Sequence, residues 1–255
     1  MLVCISPAKK LDWSEAQRSD VTTPDFSADA LKLAKTARDL SAPQLQKLMS
    51  ISENLARLNY ERFVAFSDKP ADEALRPAAL AFAGDTYQGL EAASFSEDDM
   101  RWAQDHLRIL SGLYGLLRPL DLIQPYRLEM GTKVKNANGK DLYDYWGSCI
   151  AESIEHEMSS HRSKTLINLA SNEYFKSVQP KRFQLPVITP VFKDFSGGTY
   201  KVLSFFAKKA RGSMTSFIVK NRISKPEDIK SFDVDGYVFN PAFSTEDQWV
   251  FTRKS

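Results

Sequence analysis

Apolar residues in this 255-residue chain fall in two patterns, and their alternation limits the folds open to it. Compact apolar runs, Leu2 to Ile5 and Thr165 to Leu169, have the length and make-up of short buried strands. Elsewhere apolar residues recur three and four apart. Asp25 to Leu40, Pro43 to Ile51 and Glu53 to Phe66 read as helices, with Ser41 and Ser52 placed as N-caps. No apolar stretch approaches the roughly 20 residues that span a bilayer, so membrane residence is not expected.

The middle and end of the chain continue the mixture. Ser96-Glu97-Asp98-Asp99 opens a helix in capping-box style, with Asp where Glu or Gln is preferred. Met100, Ala103, Leu107 and Leu110 form one stripe and Trp102, His106 and Ile109 a second, which predicts a helix buried on two sides. A further helix is expected over Leu142 to Met158, after the Asn138-Gly139 turn. Pro186 to Phe195 and Thr199 to Phe205 read as strands joined by a Ser196-Gly197-Gly198 hairpin. A helix from about Ala207 to Arg222, a short one from Pro226, and strands at Gly236 to Asn240 and Trp249 to Thr252 close the chain. Strands and helices interleave without a regular βαβ period, so the expected fold is α/β, a mixed sheet flanked by helices. With no Pro/Gly/Ser-rich linker and no repeat, residues 1–255 are expected to form a single domain.

Several function classes are disfavoured. Cys4 and Cys149 are the only cysteines, too few for a disulfide framework, and the N-terminus lacks the apolar core of a signal peptide, so a reducing, cytoplasmic setting is expected. His106, His156 and His161 have no zinc-type pairing with cysteine, and His106 sits on an apolar stripe as a core imidazole would. Hydrolase, Walker and dinucleotide fingerprints are missing, so neither a metal nor a cofactor is expected. No feature calls for an obligate protein partner. The net charge of +2 and pI of about 8.4 fall short of a strongly basic protein, so any anion-binding surface must come from local grouping.

Three constellations supply such grouping. In Lys208-Lys209-Ala210-Arg211-Gly212-Ser213, helical spacing puts Lys208, Arg211 and Thr215 on one face, a positive surface suited to phosphates. The bland alternative is a solvated face. Leu110 to Pro119 carries Gly112 and Gly115 three apart, which lets a backbone turn tightly and expose amides to a phosphate, with Arg118, Arg127 and Lys133 following. That stretch resembles a helix-hairpin-helix turn, the alternative being a Gly C-cap and a plain turn. In the third, Asn168, Ser171, Glu173 and Lys176 sit where a strand passes into a polar turn, a common ligand position in α/β sheets; helix capping by Ser171 or Asn172 is the structural alternative.

Read together, Ile5-Ser6-Pro7-Ala8-Lys9, Leu110 to Gly115, Leu117-Arg118-Pro119-Leu120-Asp121, Gln124 to Gly131, Asn168-Leu169-Ala170-Ser171, Glu173-Tyr174-Phe175-Lys176 and Ala207 to Gly212 resemble the YaaA family of peroxide-stress proteins. The stretch after about Asp235 matches least well. The resemblance implies a cytoplasmic protein of the hydrogen peroxide response, linked to limiting free intracellular iron and oxidative DNA damage. It further implies a basic cleft and a helix-hairpin-helix element that bind double-stranded DNA. Carried over by position, the expected DNA-binding residues are Lys9, Lys10, Gly112, Gly115, Arg118, Arg127, Lys176, Lys208, Lys209 and Arg211, with Lys10 ranked below Lys9. A competing expectation is an enzyme acting on a nucleobase or nucleotide, in a pocket formed by Lys9, Asn168, Ser171, Glu173 and Lys176.

Overall fold

The computed structural model describes residues 1–14 and 18–254. Its centre is an eight-stranded, mostly parallel sheet. In chain order the strands are β1 (Leu2–Ile5), β2 (Leu107–Ser111), β3 (Gly115–Leu117), β4 (Leu166–Leu169), β5 (Val187–Ser196), β6 (Thr199–Lys201), β7 (Val238–Phe239) and β8 (Gln248–Lys254). Across the sheet they run β7-β8-β5-β4-β1-β2-β3, with β6 hairpinned onto β5. β1 pairs in parallel with β2 on one side and β4 on the other, while β3, β6 and β7 are antiparallel additions. All residues of β1, β2 and β4 are buried, which is why these strands read as apolar runs rather than alternating ones.

The α-helices of five or more residues around the sheet are α1 (Ser27–Arg38), α2 (Ala42–Met49), α3 (Glu53–Ala65), α4 (Asp85–Leu90), α5 (Glu97–His106), α6 (Leu142–Trp146), α7 (Cys149–Met158) and α8 (Ser204–Lys220). Local chemistry explains many of their ends. The Ser41 amide donates to the Gln44 side chain at 2.7 Å, and Ser52 Oγ accepts from the Leu55 amide. Ser96 and Asp99 form the reciprocal box, and Asp99 also accepts from Arg222 at 2.6 Å, so these contacts hold its carboxyl below the usual range.

Three expectations need correction. The helix expected to run through Leu110 stops at His106, and Leu107–Ser111 is instead the strand beside β1. A buried parallel strand and the buried face of a helix are both apolar, so spacing alone does not separate them. Leu142 to Met158 is two helices, because Gly147 takes a positive φ of 49° between them. The strand expected to reach Phe205 ends at Lys201, and α8 starts at Ser204, three residues earlier than its apolar spacing suggested.

Candidate anion-binding crevice

The chain leaving β1 returns as β2 on one side of it, whereas the chain leaving β4, on its other side, returns as β5 farther out. The two adjacent loops therefore diverge, and a crevice opens at the carboxyl ends of the strands, the usual ligand position in such sheets. It holds a cavity of about 430 Å³. Ser6 to Lys10 supply one wall, Leu169 to Tyr174 a second, Ala83 to Tyr87 a third, and Lys208 with Arg211 on α8 the fourth.

The walls are tied to one another. Ser6 Oγ accepts from the Ser171 amide at 2.8 Å, and the Tyr87 hydroxyl donates to the Ser6 carbonyl at 3.2 Å. Tyr87 and Tyr174 are buried, which raises both hydroxyls far above the usual tyrosine range and keeps them neutral. The fourth wall depends on Gly212. A Cβ there would collide with the Thr86 carbonyl, and one at Gly89 would collide with the Lys209 carbonyl, so α4 and α8 meet backbone to backbone. That contact carries Lys208 and Arg211 over Asp85 and Thr86 at the start of α4.

The charges differ sharply in what they face. Lys9 Nζ is 3.3 Å from Glu129, whose carboxylate is also held by Arg127 at 3.0 Å. Lys208 is loosely placed, 3.8 Å from Asp85. Lys10 is exposed and, among the described residues, has no ion pair. Arg211 is largely buried, has no carboxylate within ion-pair distance among the described residues, and leaves its Nε without a hydrogen-bond partner. Burial lowers its tendency to hold a proton, although a guanidinium remains charged.

Of the residues expected to bind DNA, the structure gathers Lys9, Lys10, Lys208 and Arg211 around this cavity. Lys209, one position round the helix, turns away and pairs with Asp235 at 3.2 Å. Lys176 lies outside the cavity with its ammonium 4.3 Å from the centre of the Tyr143 ring. Arg127 is committed to Glu129, and Arg118 to Asp121, Asp25 and the Thr23 carbonyl. Gly112 and Gly115 belong to a buried β-hairpin between β2 and β3, which corrects the helix-hairpin-helix reading of that segment. Gly115 has φ of 68°, and a Cβ there would meet the Trp146 indole at 2.8 Å, so this turn faces the core and presents no amide to a nucleic acid. Glycine spacing is the same in a covered turn and an open one, so it does not report the Trp146 indole that packs over Gly115.

Of the competing enzyme pocket, Lys9, Ser171 and Glu173 do share the cavity. Asn168 does not; it is buried in β4, where its side chain accepts from the Ala170 amide. Glu173 is fixed through an oxygen that accepts from the Gly131 amide at 2.9 Å. Ser6 and the Gly84-Asp85-Thr86-Tyr87 turn were missed in the sequence. For Gly84 to Tyr87 the only local signal was a glycine between an apolar run and a helix-forming stretch, and Ser6 stood in a quoted motif but only as the residue that ends the first strand.

Two further observations bear on chemistry. Among the described residues, no group of three or more His, Cys, Asp or Glu is placed to hold a metal ion, and no helix is long and apolar enough to cross a membrane. Cys4 is buried and its thiol is pushed up to about 12 by that burial, while Cys149 is exposed and free.

Comparison with known proteins gives these residues a context. The family described as peroxide stress protein YaaA matches residues 1–243. A UPF0246 protein of Roseobacter denitrificans is 55% identical over 255 residues, covering 99% of this chain and 98% of its own length. One from Ruegeria pomeroyi is 54% identical, with 99% and 98% covered, and one from Aliivibrio fischeri 52%, with 100% and 98% covered. The similarity thus extends through the final strands, which the sequence motifs had matched least well. On this full-length similarity the chain belongs to the peroxide stress protein YaaA family.

Proposed function

We propose that this peroxide stress protein associates with duplex DNA through the rim of the crevice, with Lys9, Lys10 and Lys208 meeting backbone phosphates. The observation that carries the reading is that cations from two distant segments, residues 9–10 and 208–211, converge at one sheet end while Arg118 and Arg127 are neutralised internally. Phosphate contacts need mobile, exposed cations, and these lysines are exposed. Occupying phosphates with lysine displaces the counterions condensed on them. Iron held on DNA would be displaced in the same way, which links association to less oxidative damage at the DNA itself. Such a role belongs in the cytoplasm.

The test is a titration of the full-length protein with a duplex of arbitrary sequence over a range of salt. Affinity should fall steeply as salt rises, and Lys10→Ala with Lys208→Ala should flatten the slope by about two, one for each lost phosphate contact. Salt-independent affinity, or a slope indifferent to both substitutions, would overturn the reading.

A further inference from the structure

We infer that the cavity beneath that rim is a binding site for a nucleoside phosphomonoester, held by Arg211. The inference rests on the DNA reading only in taking the ligand to be a nucleotide; the cavity argues for the phosphate by itself.

A buried cation without a partner is costly, because desolvation is not offset by an opposite charge. Arg211 approaches this case, since it is mostly covered, its Nε is enclosed without a hydrogen-bond partner and, among the described residues, no carboxylate lies within ion-pair distance, while the backbone contact of α4 with α8 at Gly212 leaves the helix little room to roll it outward. An anion is therefore what the site lacks. Its charge follows from the lining, where Lys9, Lys10, Lys208 and Arg211 stand against Asp85 and Glu173, four positive groups against two negative. The excess of two matches a phosphomonoester, which carries about −1.5 to −2 at neutral pH, better than a phosphodiester. Access favours the same ligand. A diester would have to bring chain down on both sides of the phosphorus to reach a largely buried guanidinium, whereas a monoester descends end-on and can meet the planar fork in bidentate fashion.

The remainder of the cavity suits the nucleoside. About 430 Å³ lies in the range of small-ligand sites and does not hold a duplex. Pro7, Ala8, Ala83 and Leu169 give apolar wall, and the Thr86 and Ser171 side chains add hydroxyls that can donate to phosphate or sugar oxygens. The source of the monoester is a free nucleotide or the phosphorylated end of a DNA strand, and the two share this chemistry.

Calorimetric titration of the full-length protein with 5′-dAMP, deoxyadenosine and inorganic phosphate tests the site. The expected order is 5′-dAMP first, inorganic phosphate weaker and deoxyadenosine without measurable binding. Arg211→Met should weaken 5′-dAMP on the order of thirtyfold or more, with Arg211→Lys recovering only part because a lysine offers no fork. Lys208→Ala, on the exposed rim, gives a second variant that does not depend on the buried position and should weaken 5′-dAMP severalfold. In a parallel arm, a short duplex with 5′ phosphates is compared with the same duplex dephosphorylated and with closed circular DNA. Preference for phosphorylated ends, lost in Arg211→Met, identifies strand ends as the source; 5′-dAMP binding without end preference identifies the free nucleotide. Equal binding of 5′-dAMP and deoxyadenosine, or 5′-dAMP affinity unchanged in Arg211→Met, would overturn the phosphomonoester site. Circular DNA bound normally beside that result would leave the duplex reading standing, and 5′-dAMP bound with no DNA bound would do the reverse.

Discussion

Two parts of this molecule look alike in sequence and differ in kind once folded. Gly112 to Arg127 and Lys208 to Gly212 both combine glycine with basic side chains. In the first, the glycines line a buried hairpin, Arg118 is held by Asp121 at 3.0 Å, and Arg127 by Glu129. In the second, glycine brings two helices together and Arg211 is left without a partner. The same residue types build core in one place and the wall of an open crevice in the other. What separates them is whether each arginine meets a carboxylate inside the fold, because a neutralised arginine has little left to offer a phosphate.

The harshest test of that contrast is Gly115→Val. A β-branched residue at φ of 68° is strained, and its side chain would enter the Trp146 indole, so a loss of about 3 kcal/mol or more is expected. Thermal melting and DNA affinity measured on one sample check it, since affinity per folded molecule should stay at the wild-type value. A stable variant with weakened affinity would return the hairpin to the interface and break the comparison.

Arg118→Ala and Arg211→Met sharpen the contrast at the level of single charges. The first strips a cation from the nearly fully buried Asp121, whose remaining partners are the Thr22 hydroxyl and the Arg118 amide, and should cost about 2 kcal/mol. The second removes a cation with nothing to lose, so the midpoint of chemical unfolding should hold steady or rise. If Arg211→Met proved the more damaging of the two, a stabilising partner for Arg211 would have to exist.

A smaller difference is expected between neighbours on one helix. Lys208→Ala should lower DNA affinity by about two- to fivefold at moderate salt, whereas Lys209→Ala, which removes an exposed pair with Asp235, should do less. Equal effects would mean that the duplex reaches both faces of α8.

The smallest effect concerns pH, far from the crevice. His106 stacks on Trp102 with ring centres 3.9 Å apart, and its imidazole is held below the ordinary range chiefly by burial, as is that of His161. A depressed histidine means that the unfolded chain binds protons more readily. Its contribution to stability is complete above the ordinary value of 6.5 and is lost as pH falls through the lower folded value. Urea midpoints at about pH 7.5 and about pH 5.5 should show this decline, and His106→Phe, which keeps an aromatic ring against Trp102, should shrink it. A midpoint that rises on acidification would contradict the sign.

What the sequence determined by itself was local and chemical. The N-cap at Ser41 and the capping box at Ser96 are completed by side chains three residues away, and the hairpin at Gly197 and Gly198 needs only the positive φ that those glycines take. Such features depend on near neighbours, so they are readable along the chain. The grouping of Lys208 with Arg211 was readable for the same reason, being one turn of helix. Tertiary structure decided everything that turns on a distant partner. Leu107 to Leu110 became strand rather than helix because the edge of β1 offered its backbone hydrogen bonds. Arg118 became structural because Asp25 and the Thr23 carbonyl, more than ninety residues away, joined the nearby Asp121 around it, and Arg211 became the cation of the crevice because packing at Gly212 brought it there with no acid within ion-pair distance among the described residues. A charge is functional or structural according to what faces it across the fold, and spacing along the chain does not carry that information.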